Sequence, residues 1–228
     1  MTVQGRLVND LRWDPGTDFL IEALPDVRTP ALQRQARQLI DQARGEGLVD
    51  PRAFYGEFAV QRTGDSTVRL GQVTFDSGLL AGQLDGLSRA YGYVITLGEE
   101  FMTWMTGRED LLERYFADEL ANVILGKAQE AFFDHLARTH GLDGVGSLNP
   151  GSLPQWPLEA QRELFTLLDA GVVKRVLGVE LNDSLLMQPV KSLSGVAYAS
   201  AERFCCCRLC ERRDCSGRRE PFGGKADS

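Results

Sequence analysis

The longest periodic stretch of the chain, about Asp110 to Thr139, places Phe116, Leu120, Ile124, Ala128, Ala131 and Phe132 at helical spacing. A helix of that length needs a broad apolar partner. The flanking segments supply one. Phe54 to Gln61 and Thr67 to Phe75 alternate apolar and polar residues around Thr63-Gly64-Asp65-Ser66, the pattern of two strands joined by a turn. Ala90-Tyr91-Gly92-Tyr93-Val94-Ile95-Thr96 is a continuous buried run that passes through Leu97-Gly98 into a helix near Glu99. Thr29-Pro30 reads as the cap and first position of a helix to about Ala43, with Leu32, Ala36, Leu39 and Ile40 on one face and Gly45 and Gly47 stopping it. Beyond the long helix, Gly141 to Pro154 reads as loop and Leu158 to Leu168 as an amphipathic helix. Val172 to Val179 and Leu186 to Ala199 read as two strands. Helices interleaved with strands whose connections include hairpins predict an α+β domain on a largely antiparallel, twisted sheet. The apolar patterning ends near Ser200, which sets the domain at residues 1–200 and a tail at 201–228.

Composition excludes several classes. With 228 residues and 43% hydrophobic content the chain can bury one substantial core. A formal charge of -7 argues against nucleic acid as the main partner, because phosphate binding draws on a net basic surface. Met1 to Arg6 carry no apolar signal region and no stretch reaches bilayer-spanning length, so no membrane and a cytoplasmic location are expected. Gly141-Leu142-Asp143-Gly144-Val145-Gly146 has glycines in the wrong order for a dinucleotide site and follows a helix instead of a strand. His135 and His140, five apart, read as solvated residues of the last helical turns that point in different directions.

All five cysteines fall in Cys205-Cys206-Cys207-Arg208-Leu209-Cys210 and the nearby Cys215. Three neighbouring cysteines make no regular disulfide framework, whereas Cys207-x2-Cys210-x4-Cys215 lets one short loop aim several thiolates at a common centre. Cys205 or Cys206 is the available fourth ligand. Such spacing points to an iron–sulfur cluster or zinc. Between Arg203 and Glu220 six arginines face three acids, a local field that favours thiolates.

At Leu181-Asn182-Asp183-Ser184-Leu185-Leu186-Met187-Gln188-Pro189-Val190-Lys191-Ser192-Leu193-Ser194-Gly195 the chain resembles the activation (reactivation) domain of vitamin B12-dependent methionine synthase, whose run is Leu-x-Glu-Ser-x-x-Met-x-Pro-x-x-Ser-Val-Ser-Gly followed shortly by a tyrosine, here Tyr198. Thr96-Leu97-Gly98 resembles that family's Thr-Leu-Gly element. Gly146 to Leu168, with Pro150-Gly151 and Trp156-Pro157, resembles its central loop and following helix. The resemblance spans roughly residues 85–200.

What the resemblance implies is work on a cobalt cofactor. In that family the domain binds S-adenosylmethionine and docks on the corrinoid module, so that inactive cob(II)alamin receives an electron and is trapped by methylation. Cobalamin itself would come with the partner: a corrinoid-binding methyltransferase, or a methionine synthase lacking its own activation domain. A low-potential electron donor would supply the electron. Carried over by residue, Glu130 matches a helical glutamate that holds the donor's charged end, and Tyr198 matches the binding tyrosine. The donor loop, Arg-x-x-x-Gly-Tyr in the family, falls on Ser147-Leu148-Asn149-Pro150-Gly151-Ser152, where Ser147, Asn149, Gly151 and Ser152 offer neutral contacts in place of a guanidinium. The tail adds two alternatives: an iron–sulfur redox module that reduces a corrinoid protein without a methyl donor, or a zinc-stabilised adaptor.

Overall fold

The computed structural model describes residues 5–24, 26–201, 204, 206–212, 215, 218 and 220–223. In chain order they form β1 (Gly5–Val8), α1 (Thr17–Ala23), α2 (Pro30–Gly45), β2 (Arg52–Arg62), β3 (Thr67–Leu70), β4 (Val73–Asp76), α3 (Gly78–Gln83) and β5 (Arg89–Thr96). There follow α4 (Gly98–Thr106), α5 (Leu111–His140), β6 (Val145–Leu148), α6 (Gln161–Leu168), α7 (Ala170–Leu177), β7 (Glu180–Leu181), β8 (Met187–Gln188) and β9 (Ser192–Ala199). A seven-stranded sheet runs β4-β3-β2-β5-β9-β6, with β1 also on β2. Every pairing is antiparallel. The long β2 makes this possible: Ala53 to Gly56 take β1, Val60 to Arg62 take β3, and β5 runs along the opposite edge.

Side chains on successive strand residues point to opposite faces, and here both faces are covered. Ala53, Tyr55, Tyr91, Tyr93, Ile95 and Ala197 meet α1, α2, α4 and α5 in one core. Phe54, Ala90, Val94, Leu148, Val196 and Tyr198 meet α3, α6 and α7 in the other. Burial on both faces explains why Ala90 to Thr96 reads as an unbroken apolar run. That strand and the Ser192 to Ala199 strand pair directly, with the long helix against them.

The helices stop and start where local chemistry requires. Thr29 Oγ1 accepts the Leu32 N–H and Pro30 occupies the first turn of α2. Asp110 Oδ1 accepts the N–H groups of Leu112 (2.7 Å) and Glu113 (3.2 Å) at the start of α5, and Gly141 ends it in the left-handed region at φ 64°. Along α5, Phe116, Leu120, Ile124, Ala128, Phe132 and Leu136 repeat every four residues, each 0–2% exposed. A fully buried side chain of this size stabilises the fold by roughly 1.5–3 kcal/mol.

Three expectations from sequence are corrected. Val172 to Val179 is not a strand: the Asp169 carboxylate caps Gly171 and Val172, and α7 runs from Ala170 to Leu177 until Gly178 turns left-handed. Its apolar residues, Val173 and Leu177, are spaced four apart and buried, a helical period that a β-branched composition disguises. Gly141 to Pro154 is not all loop, since β6 lies within it. Leu186 to Ala199 is two strands, β8 and β9, parted at Pro189, where the Gln188–Pro189 bond is cis.

Candidate functional site at the β6 edge

The most specific motif of the sequence folds into a knot of polar contacts where α5, β5, β6 and β9 meet. Tyr93 on β5 pairs with Gly195 on β9. The buried Tyr93 hydroxyl accepts Gln129 Nε2 of α5 at 2.8 Å and Asn149 Nδ2 at 2.9 Å. Asn149 Nδ2 also donates to the Ser194 carbonyl at 2.6 Å. A Cβ on Gly195 would lie 2.4 Å from Leu148 O, 2.7 Å from Asn149 Nδ2 and 2.9 Å from the Tyr93 hydroxyl, so only glycine fits beneath this amide. On the other face, Ser194 Oγ donates to Gln161 Oε1 of α6 at 2.9 Å. Ser192 Oγ donates to Pro189 O at 2.7 Å and lies 2.8 Å from Thr96 Oγ1, which accepts the Gly98 N–H. The Thr96-Leu97-Gly98 and Ser192-Leu193-Ser194-Gly195 elements are thus two halves of one construction. Each buried polar group there has a partner, which is what burial in a low-dielectric interior demands.

Around this knot the predicted site residues divide. Ser147 is 5% exposed and sits opposite Ala197, placing its side chain on the α5 side of the sheet. Asn149 is on that side too. Pro150 and Gly151 form the turn after it, with Gly151 at φ 78° and the Ser152 N–H donating to Asn149 O, while Ser152 is exposed. Glu130 follows Gln129 on α5; its side chain is 44% exposed, with its carboxylate 2.8 Å from Lys127 Nζ. One helical turn further, Phe133, Asp134 and Ala137 line a cleft of about 230 Å³ with Val145 of β6. Tyr198 is not with them. It lies in the opposite core beside Val196 and Leu148, is 1% exposed, and its hydroxyl donates to Gln83 Oε1 of α3 at 2.8 Å. Burial raises the Tyr198 phenol well above its ordinary value, and Cys206 nearby adds to the effect. Its ring lies across Gly146, where a Cβ would be 2.8 Å from the Tyr198 Cε2.

The cysteine tail reaches the same strand. Cys206 is 9% exposed in the core that holds Tyr198, with its Sγ 3.9 Å from Ser147 O, and Phe204, Leu209 and Cys210 pack against that core. Cys206, Cys207, Cys210 and Cys215 are thiols. Cys205 lies outside the described residues. Among the described residues no three His, Cys, Asp or Glu side chains converge as a metal-holding group.

The histidines, expected to be solvated, are instead drawn onto one tyrosine. His140 has a side chain 7% exposed, with Nδ1 3.2 Å from Glu57 Oε2 and Nε2 3.2 Å from the Tyr55 hydroxyl. A carboxylate only accepts, so Nδ1 carries the proton and Nε2 accepts from Tyr55. His135 packs against the same Tyr55 ring at 6.2 Å between centroids. Desolvation lowers both imidazoles below their ordinary value, outweighing Glu57 for His140, while Arg138 adds to the lowering for His135. Sequence spacing missed this because the partners come from β2, far away in the chain. Tyr55 and His135 also line a cleft of about 410 Å³ with Arg6 to Asp10 of the β1 region.

No protein-family model matches the chain, and neither does any curated protein sequence. Among solved structures the chain is similar to one described as the MetH reactivation domain bound to AdoHcy, with a TM-score of 0.62 and 16% identity over 90% of this chain and 81% of that one. The fold is that of the reactivation domain. Its likeness extends through the N-terminal third, where sequence offered only a general order of elements. Among the described residues, no helix is long and apolar enough to cross a membrane.

Proposed function

We propose that this protein is a reactivation partner of a corrinoid (vitamin B12)-dependent methyltransferase such as methionine synthase, acting on an enzyme that lacks its own activation domain. The observation that carries the reading is the fold match over 90% of the chain, joined to a signature motif whose serines and glycine build the polar knot at β6. In this role S-adenosylmethionine supplies the methyl group that traps the reduced cobalt, and a low-potential donor supplies the electron. The AdoHcy of the similar structure supports a ligand of that class. On this chain Glu130 offers a carboxylate to the cationic end of such a ligand, Ser147 and Asn149 lie on the α5 side of β6, and Gly151 and Ser152 follow in the turn after it. The contacts do not fit in full: no guanidinium stands at Ser147 to Ser152, Asn149 is engaged by Tyr93 and Ser194, and Tyr198 faces the other core.

The test is recovery of turnover. A methyltransferase lacking an activation domain, oxidised to cob(II)alamin, is incubated with a low-potential reductant and S-adenosylmethionine, with and without this protein. Faster loss of the cob(II) spectrum and regained methyl transfer are expected; equal rates in both arms would reject the reading.

A second reading is favoured by one observation: the Tyr198 hydroxyl is committed to Gln83 and its surroundings hold Cys206. In that reading the cysteines hold an iron–sulfur cluster, the protein passes electrons to cobalt in a reducing, cytoplasmic setting, and no methyl donor binds. Calorimetry separates the two, because absence of heat at millimolar S-adenosylmethionine on folded protein would reject the methyl-donor role and favour the redox role.

A further inference from the structure

Where α1 crosses α5, an aromatic ring and a carboxylate share one ammonium. Leu20 and Ile21 of α1 are buried in the core that α5 helps to form, whereas Phe19 beside them is left 42% exposed. Contacts to α2 hold the short helix in place: Asp18 pairs with Arg37, and Arg44 reaches both Thr17 and, at 2.6 Å, Asp14. On α5, Lys127 and Glu130 are three residues apart and so share a face, while Ala128 and Gln129 between them are buried and Gln129 is tied to Tyr93. Lys127 Nζ lies 4.9 Å from the centroid of the Phe19 ring and donates to Glu130 Oε2 at 2.8 Å.

A π face and a carboxylate together are what holds an organic cation. Here a side chain of the protein fills that place. The Lys127 ammonium is a compact, strongly hydrated charge on a flexible four-carbon stem, so it returns to water at little cost. Its two contacts are both partly exposed, with 29% of the Lys127 side chain and 44% of the Glu130 side chain open to solvent, and each is therefore weak. A sulfonium behaves differently. Three carbons on a positive sulfur carry no N–H, so water holds such a cation less tightly than an ammonium and the ring face gains more from it.

We propose that Phe19 and Glu130 form a seat for the sulfonium of the methyl donor, and that Lys127 occupies this seat when no donor is bound. The proposal rests on the reactivation reading and adds two residues to its site, Phe19 as a binding surface and Lys127 as the residue that sets specificity. Exchanging the ammonium for a sulfonium leaves Glu130 with a cationic partner throughout. S-adenosylhomocysteine brings a neutral sulfur, which offers Glu130 no charge, so Lys127 stays where it is. Methyl transfer then empties the seat by its own chemistry. The sulfur keeps the electron pair of the broken S–C bond and becomes a neutral thioether, the methyl passes to the partner's cobalt(I), which supplies the pair of the new bond, and Lys127 returns to Glu130. Substrate is told from product by charge.

The test is calorimetry on the full chain with S-adenosylmethionine and, separately, S-adenosylhomocysteine. Lys127→Met keeps the length of the side chain and removes its charge; with one exposed ion pair and one cation–π contact no longer to be displaced, it should tighten S-adenosylmethionine roughly three- to twentyfold and leave S-adenosylhomocysteine within about twofold. Lys127→Arg, which still pairs with a carboxylate and stacks on a ring, should keep the unmutated affinity. Adding Phe19→Ala to Lys127→Met should weaken S-adenosylmethionine roughly two- to fivefold and spare S-adenosylhomocysteine. A second measurement needs no variant to fold: the rate at which acetic anhydride labels Lys127, read by mass spectrometry on the unmutated chain, should rise with S-adenosylmethionine, because the amine is released to solvent, and not with S-adenosylhomocysteine. Unchanged affinity in Lys127→Met, equal tightening of both ligands, or labelling that falls when S-adenosylmethionine binds would each overturn the proposal. Any of these beside recovered turnover in the cob(II) assay rejects the seat and keeps the reactivation reading, whereas no heat from S-adenosylmethionine with either chain rejects the seat together with the donor role.

Discussion

Gly195→Ala is the sharpest test of how the β6 knot is built. The added methyl would sit 2.4 Å from Leu148 O, 2.7 Å from Asn149 Nδ2 and 2.9 Å from the Tyr93 hydroxyl, all well inside van der Waals contact. Leu148 O is main chain, so β6 must move or Asn149 and Tyr93 must let go. Overpacking of this kind costs about 1–3 kcal/mol. Losing the Asn149 contacts to Tyr93 and Ser194 adds roughly 0.5–1.5 kcal/mol each. The sum is about 2–6 kcal/mol, a large share of the roughly 5–15 kcal/mol that holds a typical domain together. For a chain of this size each kcal/mol shifts Tm by about 2–4 °C, so calorimetric scanning should find Tm lowered by on the order of 4–24 °C. Gly126→Ala is the matched control. That glycine lies inside α5 with nothing within 4 Å of the place its methyl would take, so alanine should raise stability by about 0.5–1 kcal/mol. A Gly195→Ala protein as stable as the unmutated chain would refute the claim that the knot requires a bare backbone there.

Further outcomes follow from the same contacts. Because desolvation depresses His135 and His140, the unfolded chain takes up protons below about pH 6.5 while the folded chain does not. Their contribution is therefore present above that pH and lost as pH falls below it; the urea midpoint should drop between pH 7.5 and 5.5, and His140→Gln should flatten that drop. If a methyl donor binds on the α5 side, Glu130→Gln should weaken the calorimetric affinity for S-adenosylmethionine several-fold, while Tyr198→Phe should leave it unchanged and cost only about 1 kcal/mol of stability for the bond to Gln83. Equal loss in both variants would return Tyr198 to the donor site.

The sequence revealed most where period and burial agree. The α5 ridge from Phe116 to Phe132 and the buried Ala90 to Thr96 run carry single, long signals, and both elements form where they were read. Val172 to Val179 misled because four valines suggest a strand, although the Asp169 cap and the four-residue spacing of Val173 and Leu177 make a helix. β6 was hidden because four residues bracketed by glycines and Pro150 show no alternation worth reading. The site was legible as motif and not as geometry. Ser192, Ser194, Gly195 and Tyr198 lie in one short run, but strand alternation sends Ser194 and Tyr198 to one face and Gly195 to the other. The pairing of His140 with Glu57 depends on β2 meeting the end of α5, a contact between distant segments that no local spacing encodes.

That alternation gives the short strand β6 a different neighbour on each side: the α5 cleft lined by Phe133, Asp134 and Ala137 on one, and Tyr198 with the seated Cys206 on the other. Gly146 faces the Tyr198 side of β6, so a methyl added there presses on that side first. A Cβ there would meet the Tyr198 ring at 2.8 Å, 2.9 Å and 3.1 Å, at Cε2, Cζ and the hydroxyl oxygen. The ring can yield only by pressing into the core that holds Cys206 and Leu148, so Gly146→Ala should cost about 1–3 kcal/mol and loosen the seat of the cysteine loop. Metal retention measured against a competing chelator should fall in this variant, while the heat of S-adenosylmethionine binding, if any is seen in the unmutated protein, should persist. The reverse outcome, with donor binding lost and metal retention intact, would mean that the donor lies on the Tyr198 face and that the two sides of β6 do not work separately.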